Sequence, residues 1–358
     1  MILHLSSNMP FPAFDPAQYS SPEFTRYAAV HANPKGPGDA RPTAEQIIKD
    51  EGLNGKLVGK TILITGCSSG IGIETVRALK LTGARIFATV RDLEKGKRAL
   101  GDILEPGKVE LSHLDLNSLA SVRKFAAEFL AASNNQLNIL INNAGIMSCP
   151  EGTTEDGFEL QVGTCHLAHF LLFQLVKPAL LASAKPDFHS RVVSVASMAH
   201  RYFPPKLDNF QLRHGEYHSE HAYAHAKTAN IWFANYIERH YGAKGLHGLS
   251  LHPGVIFTAL AKFIPEEQFA GYAKDPVLAA TRKTPEQGAA TTVWAAVAHV
   301  WEGRGGLYLD DCQVSKPVEE GWGPMESGYV EWTYDPEGEE RLWVMSNELV
   351  GFKEAGDR

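Results

Sequence analysis

The stretch TGCSSGIG, residues 65–72, decides the fold. It follows an apolar, β-branched run, TILIT at 61–65, and leads into a segment with helical spacing. Gly66, Gly70 and Gly72 permit a tight turn, a close approach of the backbone to a ligand, and packing of helix on strand. The helix would then direct its free N–H groups at a phosphate, although any turn from strand to helix can collect glycines. The residues of this βα unit predicted to contact the ligand are Gly66, Ser68, Ser69, Gly70, Ile71 and Gly72.

Strand-like and helical segments alternate from residue 60 onward. Short apolar runs lie at 84–90, 108–116, 137–145, 191–195, 246–254 and 305–309. They lack the polar alternation of a half-exposed strand, which indicates a parallel sheet covered on both faces. We therefore predict an α/β fold with a single doubly wound parallel sheet and helices on both faces.

Composition excludes several classes of protein. The 358 residues carry a net charge of −7, which argues against nucleic acid or an anionic membrane surface as the main partner. The four cysteines are scattered, without a C-x-x-C pair, as is typical of reduced thiols inside a cell. No run approaches the ~20 apolar residues of a membrane-spanning helix, and residues 1–14 lack the pattern of a signal peptide. We therefore expect a cytoplasmic protein without a membrane span.

The first 57 residues differ from the rest of the chain. Proline, glycine and polar residues dominate as far as Arg41, and PTAEQIIKDEGL, residues 42–53, has the spacing of a short helix. We predict an N-terminal extension, residues 1–57, that wraps the outside of a domain formed by residues 58–358. A role in covering the substrate is the alternative.

Three further motifs accompany the glycine stretch: NNAG at 142–145, YAHAK at 223–227 and HPGVIFT at 252–258. Together with the spacing G-x-x-x-G-x-G, they resemble the short-chain dehydrogenase/reductase family over about residues 58–350. The segments VRDLEKG, DLNSLASVRKF and YDPEGEERLWVMSNELVG resemble its retinol dehydrogenase-like and WW-domain oxidoreductase-like branch. The resemblance implies a Rossmann-type fold for residues 58–358 and a nicotinamide cofactor.

Arg91 follows the second predicted strand, where the ribose of the cofactor would lie. A basic residue there can pair with the 2′-phosphate of NADP, so the sequence predicts NADP(H). The alternative is that Arg91 forms surface ion pairs with Asp92 or Glu94. The resemblance implies further cofactor contacts at Asp115, Leu116, Asn142, Ala144, Gly145, Tyr223, Lys227, Pro253, Gly254, Val255 and Thr258. For Asp115 the alternative is a cap on the helix that follows.

Tyr223 and Lys227 lie four residues apart in an alanine-rich helical segment, so their side chains share one face. A lysine charge stabilises a phenolate, and we expect it to lower the pKa of Tyr223 from the usual value near ~10. Such a pair can protonate an alkoxide or deprotonate an alcohol. The resemblance assigns Ser197, after the strand RVVSV, to holding the substrate carbonyl in line with Tyr223.

One feature of the family is replaced. Many members carry an asparagine on the preceding helix that helps to hold a water joining the lysine to solvent, and TCHLAHF places Cys165 there. A thiol is a weak donor and acceptor, so it cannot replace an amide. Three readings compete: a relay through another group, with His166 or the backbone as candidates; a slower reductase without the relay; or chemistry moved to isomerisation, cyclisation or binding. No neighbour that would activate Cys165 as a nucleophile is visible in the sequence.

Residues of about 200–222 are a predicted substrate loop, and the resemblance implies a second one, at about 258–285, that covers the substrate. Four aromatic residues would make the first loop apolar: Tyr202, Phe203, Phe210 and Tyr217. Four histidines between His214 and His225 have helical spacing, but Gly215 lies among them, and we predict no metal site.

The expected activity is that of an NADPH-dependent oxidoreductase that interconverts a ketone or aldehyde and an alcohol on a fairly apolar small molecule. A lipid-like, retinoid-like or polyketide-like carbonyl would suit the aromatic loop and the branch resembled. A homodimer is consistent with the helix pairing of many relatives. A non-redox isomerase or cyclase on the same fold, and a nucleotide-sensing binding protein, are the alternatives.

Overall fold

An eight-stranded sheet forms the centre of the computed structural model, which describes residues 15–323 and 325–353. The strand order is β3-β2-β1-β4-β5-β6-β7-β8, and every pair is parallel except β7 with β8. The strands are β1 (Thr61–Thr65), β2 (Arg85–Val90), β3 (Val109–His113), β4 (Ile139–Asn142), β5 (Ser190–Val195), β6 (Leu246–His252), β7 (Leu307–Asp310) and β8 (Gln313–Val314). The predicted doubly wound α/β fold is confirmed, with the short antiparallel β8 as an unpredicted addition.

The helices precede, connect and follow the strands. They are α1 (Pro22–Thr25), α2 (Ala28–His31), α3 (Ala44–Asp50), α4 (Ile71–Lys80), α5 (Leu93–Leu100), α6 (Leu119–Ala132), α7 (Leu160–Val162), α8 (Ala168–Ser183), α9 (Ser219–Tyr241), α10 (Glu266–Lys274), α11 (Pro276–Thr281), α12 (Pro285–Gly288), α13 (Ala290–Val297) and α14 (Pro336–Leu349). A π-helical turn, Gly163–Leu167, connects α7 to α8.

Each face of the sheet supports its own apolar core, because successive side chains of a strand point to opposite faces. Ile64 and Val193 belong to the core on the side of α4 and α13. Leu63 and Val192, their neighbours in sequence, belong to the core on the side of α8 and α9. The strands therefore read as continuous apolar runs, and their carboxyl ends meet at one edge of the sheet.

Residues 15–57 contribute to the first of these cores. Helix α3 lies within the predicted helical segment and packs against α4 and α13, and its Ile47 and Ile48 have no exposed surface. The ring of Phe24 lies 5.5 Å from that of Trp301. Residues 1–14 and 354–358 lie outside the described residues. The predicted lack of a signal peptide concerns residues 1–14 and therefore also falls outside them. The division into residues 1–57 and 58–358 therefore stays a prediction.

Helix α14 covers the outer side of α8 and α9. Its Trp343 stacks on Tyr236 with ring centroids 3.8 Å apart and meets the edge of Phe170 at 4.8 Å. The homodimer stays a prediction.

The segment Leu160–Ser183 is long and apolar enough, by length and composition alone, to cross a membrane. The expectation that no run approaches this length is therefore too strict. Within the fold, however, 72% of its most apolar window is buried. Such burial is typical of a core helix packed against a sheet.

Candidate active site

The glycine loop, residues 66–72, connects β1 to α4 at the carboxyl edge of the sheet. Gly66 and Gly70 have φ angles of +76° and +60°, a conformation that favours glycine. A Cβ on Gly66 would lie 2.7 Å from Ala144 Cα, and one on Gly72 would overlap the carbonyl oxygen of Gly66. The other predicted contacts of the loop, Ser68, Ser69 and Ile71, are partly exposed. The bare backbone at the start of α4 fits a pyrophosphate group.

The hydroxyl of Thr65 joins the glycine loop to two other elements. Thr65 Oγ1 accepts hydrogen bonds from the N–H groups of Asn143 and Ala144, each at 3.0 Å, and lies 2.8 Å from His169 Nε2. Because both acceptor positions are used, the hydroxyl donates its hydrogen to Nε2, which assigns the proton of His169 to Nδ1. Nδ1 then donates to the Cys165 carbonyl at 3.0 Å. Burial lowers the pKa of His169 to about 4, so the ring is neutral at neutral pH.

The three predicted catalytic side chains, Ser197, Tyr223 and Lys227, meet beyond the carboxyl end of β5. All three are buried. Lys227 Nζ donates to the Val195 carbonyl at 2.9 Å and lies 5.4 Å from the centroid of the Tyr223 ring. The Ser197 hydroxyl forms a hydrogen bond with Tyr223 and also accepts one from the N–H of Ala199 at 3.1 Å. The arrangement places a phenol between a hydroxyl and an ammonium group.

The expectation that Lys227 lowers the pKa of Tyr223 is wrong in this arrangement. Burial raises the pKa of Tyr223 above its ordinary value, and the hydrogen bond with Ser197 offsets only part of the rise. Burial also lowers the pKa of Lys227. Desolvation disfavours the charged form of each group. Tyr223 is therefore a protonated phenol at neutral pH.

Cys165 lies in the π-helical turn, close to Lys227. A Cβ on Gly145 would lie 3.5 Å from both Cys165 Sγ and Lys227 Nζ. The sulfur accepts from the N–H of Ile146 at 3.4 Å and donates to its carbonyl at 3.5 Å. Burial raises the pKa of the Cys165 thiol, so the thiol stays protonated and is a poor nucleophile.

His166 is wrong as a candidate for the missing relay. Its Nε2 lies 2.9 Å from Ser346 Oγ on α14, within the aromatic core. Asn230, which had no role in the sequence-based prediction, shares a hydrogen-bond acceptor with Lys227. Its Nδ2 donates at 3.2 Å to the Val195 carbonyl, which also accepts from Lys227. A spacing of three residues from Lys227 along α9 is the signal that could have identified it.

Arg91 lies at the same edge of the sheet, just past β2. The carbonyl of Thr89, two residues earlier, accepts two N–H groups of the turn after β1, each at 3.0 Å. The alternative surface ion pairs are not formed, because Asp92 caps α5 and Glu94 pairs with Lys97 at 2.8 Å. Within residues 15–323 and 325–353, no hydrogen bond or ion pair involves the exposed Arg91 guanidinium. It is therefore accessible to a ligand.

Asp115 and Leu116 follow β3 along this edge. Asp115 Oδ1 accepts from the N–H of Asn117 at 2.9 Å, so it closes a turn and does not cap α6 as the alternative proposed. Leu116 is buried. Asn142, at the end of β4, is also buried, and its amide atoms have no hydrogen-bond partner in the described part of the chain. The predicted contact Ala144, in contrast, is partly exposed beside the glycine loop.

The turn at 253–258 brings Thr258 next to the glycine loop. A Cβ on Gly70 would lie 3.1 Å from Thr258 Cγ2. Lys283 braces the turn, because its N–H donates to the Val255 carbonyl at 2.9 Å and its Nζ to the Pro253 carbonyl at 3.4 Å. The predicted cofactor contacts in this turn are Pro253, Gly254, Val255 and Thr258.

Residues 200–222 line the active site less than expected. Phe210 is buried in the core, with its ring parallel to that of His225 at 6.3 Å, and is wrong as a pocket residue. Tyr217 donates its hydroxyl to a main-chain carbonyl at 2.7 Å. A groove of about 680 Å³ lies along this segment beside Trp232, nine residues from Tyr223 and so on the opposite face of α9. No group of three or more metal-ligating side chains occurs among the described residues.

Comparison with known proteins identifies the family. A sequence model of the short chain dehydrogenases matches residues 60–268. The chain belongs to the short-chain dehydrogenase/reductase family. The resemblance seen in the sequence is thus confirmed, and this dehydrogenase/reductase is an oxidoreductase whose family uses a nicotinamide cofactor.

Relatives of the dehydrogenase/reductase cover most of its length. It is 49% identical over 329 residues to the short-chain dehydrogenase/reductase prx1 of Penicillium roqueforti. The aligned region covers 92% of this chain and 96% of that protein. It is 35% identical over 300 residues to human retinol dehydrogenase 13, covering 82% and 86%. The crystal structure of an uncharacterized protein from Mycobacterium paratuberculosis matches with a TM-score of 0.63 at 31% identity, covering 83% and 95%. The retinol dehydrogenase-like branch is thereby confirmed.

The substitution Gly72→Ala tests the glycine loop of the dehydrogenase/reductase. We expect it to weaken NADPH binding at least ~100-fold, about 2.7 kcal/mol, because the new Cβ overlaps the Gly66 carbonyl and displaces the start of α4. The dissociation constant is measured from NADPH fluorescence. Gly271→Ala is the control, since a Cβ there has no neighbour within 4 Å, and it should bind NADPH as the wild type does. A Gly72→Ala protein with wild-type affinity would contradict the assignment of the loop.

Proposed function

We propose that the chain catalyses the NADPH-dependent reduction of a ketone or aldehyde, and the reverse oxidation of an alcohol, on a fairly apolar small molecule. One observation carries the proposal: Ser197, Tyr223 and Lys227 meet at the sheet edge that also bears the glycine loop and Thr258. In open parallel sheets, ligands bind at this edge, where the strand order reverses, here between β1 and β4. The proton donor and the cofactor cradle would therefore share one site.

Ser197, Tyr223 and Lys227 each have a separate role in the reaction. A nicotinamide cofactor, when bound, supplies the hydride for the carbonyl carbon. Tyr223 donates its phenolic proton to the carbonyl oxygen as negative charge develops there. The Ser197 hydroxyl binds the same oxygen and so fixes its orientation. Lys227 then stabilises the phenolate that remains, because its ammonium lies close to the ring.

The protonation state of Tyr223 is the one that carbonyl reduction requires. Burial raises its pKa, so the phenol holds its proton at neutral pH and is ready to act as an acid. Oxidation of an alcohol would first require the phenolate, which the desolvated site disfavours.

Asn230 supports the reading in which another group replaces the missing asparagine. It is buried, it lies one helical turn from Lys227, and both side chains donate to the Val195 carbonyl. Cys165 is fully engaged with the main chain of Ile146. We therefore propose that the proton supply to Lys227 runs past Asn230 and does not involve the thiol.

Aromatic side chains in and after the 253–258 turn support an apolar substrate. The rings of Phe257 and Phe269 lie 4.6 Å apart, and Phe263 is 38% exposed. One relative is named for retinol, which is itself an apolar alcohol. For the cofactor, the support is the exposed Arg91, whose guanidinium has no acidic partner among the described residues and can bind a 2′-phosphate.

The substitution Tyr223→Phe tests the acid. It should reduce kcat by about 10²–10⁴-fold, the usual contribution of a general acid, while leaving the NADPH dissociation constant nearly unchanged. Turnover is followed as the loss of NADPH absorbance with carbonyl substrates. Tyr27→Phe, in the N-terminal segment, is the control and should keep wild-type kcat. Activity that survives Tyr223→Phe refutes the assignment, and product formed without NADPH consumption indicates an isomerase or cyclase. NADPH binding without any turnover by the wild type indicates a sensor.

The substitution Arg91→Ala tests the choice of cofactor. We expect NADPH to bind ~10–100-fold more weakly, because a charge-assisted hydrogen bond to the 2′-phosphate is lost. NADH, which lacks that phosphate, should bind as before. Arg98→Ala, at another exposed arginine in the last turn of α5, is the matched control. Equal weakening of both cofactors by Arg91→Ala would remove the argument for NADP(H).

A further inference from the structure

Residues 259–281, here called the cover segment, follow directly on Thr258 and contain α10 and α11. None of the described side chains of α10 is buried, and in α11 only Leu278 is. Helices with so little buried surface are not held in place by their own packing. Apart from the contact of the Phe269 ring with that of Phe257, the position of the cover segment therefore depends on how its two ends are fixed.

The first end is fixed by the active site itself. Thr258 Oγ1 accepts from the N–H of Leu260 at 3.3 Å, and Thr258 lies against Gly70 of the glycine loop. This end therefore moves only if the predicted cofactor-binding turn moves with it.

The second end is held by an arginine of the N-terminal segment. Arg41 is 4% exposed. Its Nη1 donates to the Thr281 carbonyl at 2.7 Å, and its Nη2 donates to the Arg282 carbonyl at 2.5 Å and to the Ala280 carbonyl at 3.5 Å. These carbonyls belong to the last turn of α11 and to its C-cap residue, where helical acceptors lack partners within the helix. One guanidinium group thus binds the last two carbonyls of the cover segment and the carbonyl that follows them.

The guanidinium is itself held rigidly. Arg41 Nε donates to Asp39 Oδ1 at 2.8 Å, and Nη2 also donates to the Gly36 carbonyl at 3.0 Å. The N–H of Gly36 donates in turn to the Ala280 carbonyl at 2.8 Å. Gln287 Nε2 binds the carbonyl oxygens of both Asp39 and Arg41. These bonds connect residues 36–41 to residues 280–287 at many points.

The carbonyls bound by Arg41 directly precede Lys283, which contacts the predicted cofactor-binding turn. Lys283 is the next residue after Arg282, and its N–H donates to the Val255 carbonyl at 2.9 Å. Its Nζ binds Asp311 at 2.6 Å, independently of Arg41. Loss of Arg41 should therefore loosen the end of the cover segment, which would keep only the main-chain bond from Gly36 to Ala280, and leave the 253–258 turn braced by Lys283.

We propose that Arg41 is a positioning residue that fixes the far end of the cover segment, so that the N-terminal extension controls closure over the substrate. The proposal rests on the proposed function only in taking the substrate as the molecule that the cover segment encloses. The anchor itself is a property of the fold and can be tested without turnover.

The test compares Arg41→Ala and Arg41→Lys with Arg26→Ala, all saturated with NADPH. Lysine keeps the charge, but its single ammonium group lacks the planar set of donors with which the guanidinium binds three carbonyls at once. Arg26 lies in the same N-terminal segment and contacts Asp50 and Glu51, far along the chain from the cover segment. Limited trypsin cleavage at the exposed Lys262 and Lys274 reports how often the segment opens, and both Arg41 variants should be cleaved ~10-fold faster.

Cleavage at the wild-type rate in folded Arg41→Lys, checked by its thermal unfolding, would overturn the proposal. So would equal acceleration by Arg26→Ala. With decanal as the apolar aldehyde, KM should rise ~10-fold in the Arg41 variants while kcat and the NADPH dissociation constant stay within ~3-fold. An unchanged KM would show that the segment does not cover the substrate. A wild type that binds NADPH but does not reduce decanal counts against the proposed function and leaves the cleavage result to decide the anchor.

Discussion

The hydroxyl of Thr65 is the constraint on which the site depends. It uses its full hydrogen-bonding capacity, with two N–H groups from the turn after β4 and one nitrogen of His169. The other ring nitrogen of His169 donates a hydrogen bond to the carbonyl of Cys165, in the π-helical turn beside Lys227. A single buried hydroxyl thus ties the glycine loop, the NNAG turn and the helix that borders the catalytic lysine. Because each group has a partner, none of these elements can shift without leaving a buried polar atom unpaired, which costs about 1–3 kcal/mol.

Burial of the reacting groups follows from this close arrangement. Tyr223 and Lys227 lie under packed helices, where water does not stabilise either charge. Burial therefore raises the pKa of Tyr223 and lowers the pKa of Lys227. A neutral phenol is the form that gives a proton to a carbonyl oxygen. The same physics keeps the Cys165 thiol protonated and excludes it as a nucleophile.

The sequence predicts the sheet and the location of the site because those signals are local. Each apolar run marks its own strand, and the i to i+4 spacing places Tyr223 and Lys227 on one face; β8, with two residues, is too short to leave a pattern. The errors concern properties set by distant residues. The pKa of Tyr223 depends on helices packed over it, and His166 is turned by a partner 180 positions away. Arg41 binds main-chain carbonyls about 240 positions away, and a carbonyl has no signature in sequence.

The most direct test is the NADPH dissociation constant of Thr65→Val, with Thr65→Ser as its control. Valine keeps the shape of threonine but leaves the N–H groups of Asn143 and Ala144 without their acceptor. If the hydroxyl holds the site together, NADPH should bind at least ~10-fold more weakly to the valine variant, about 1.4 kcal/mol, and nearly normally to the serine variant. Wild-type affinity in a folded Thr65→Val protein would contradict the account.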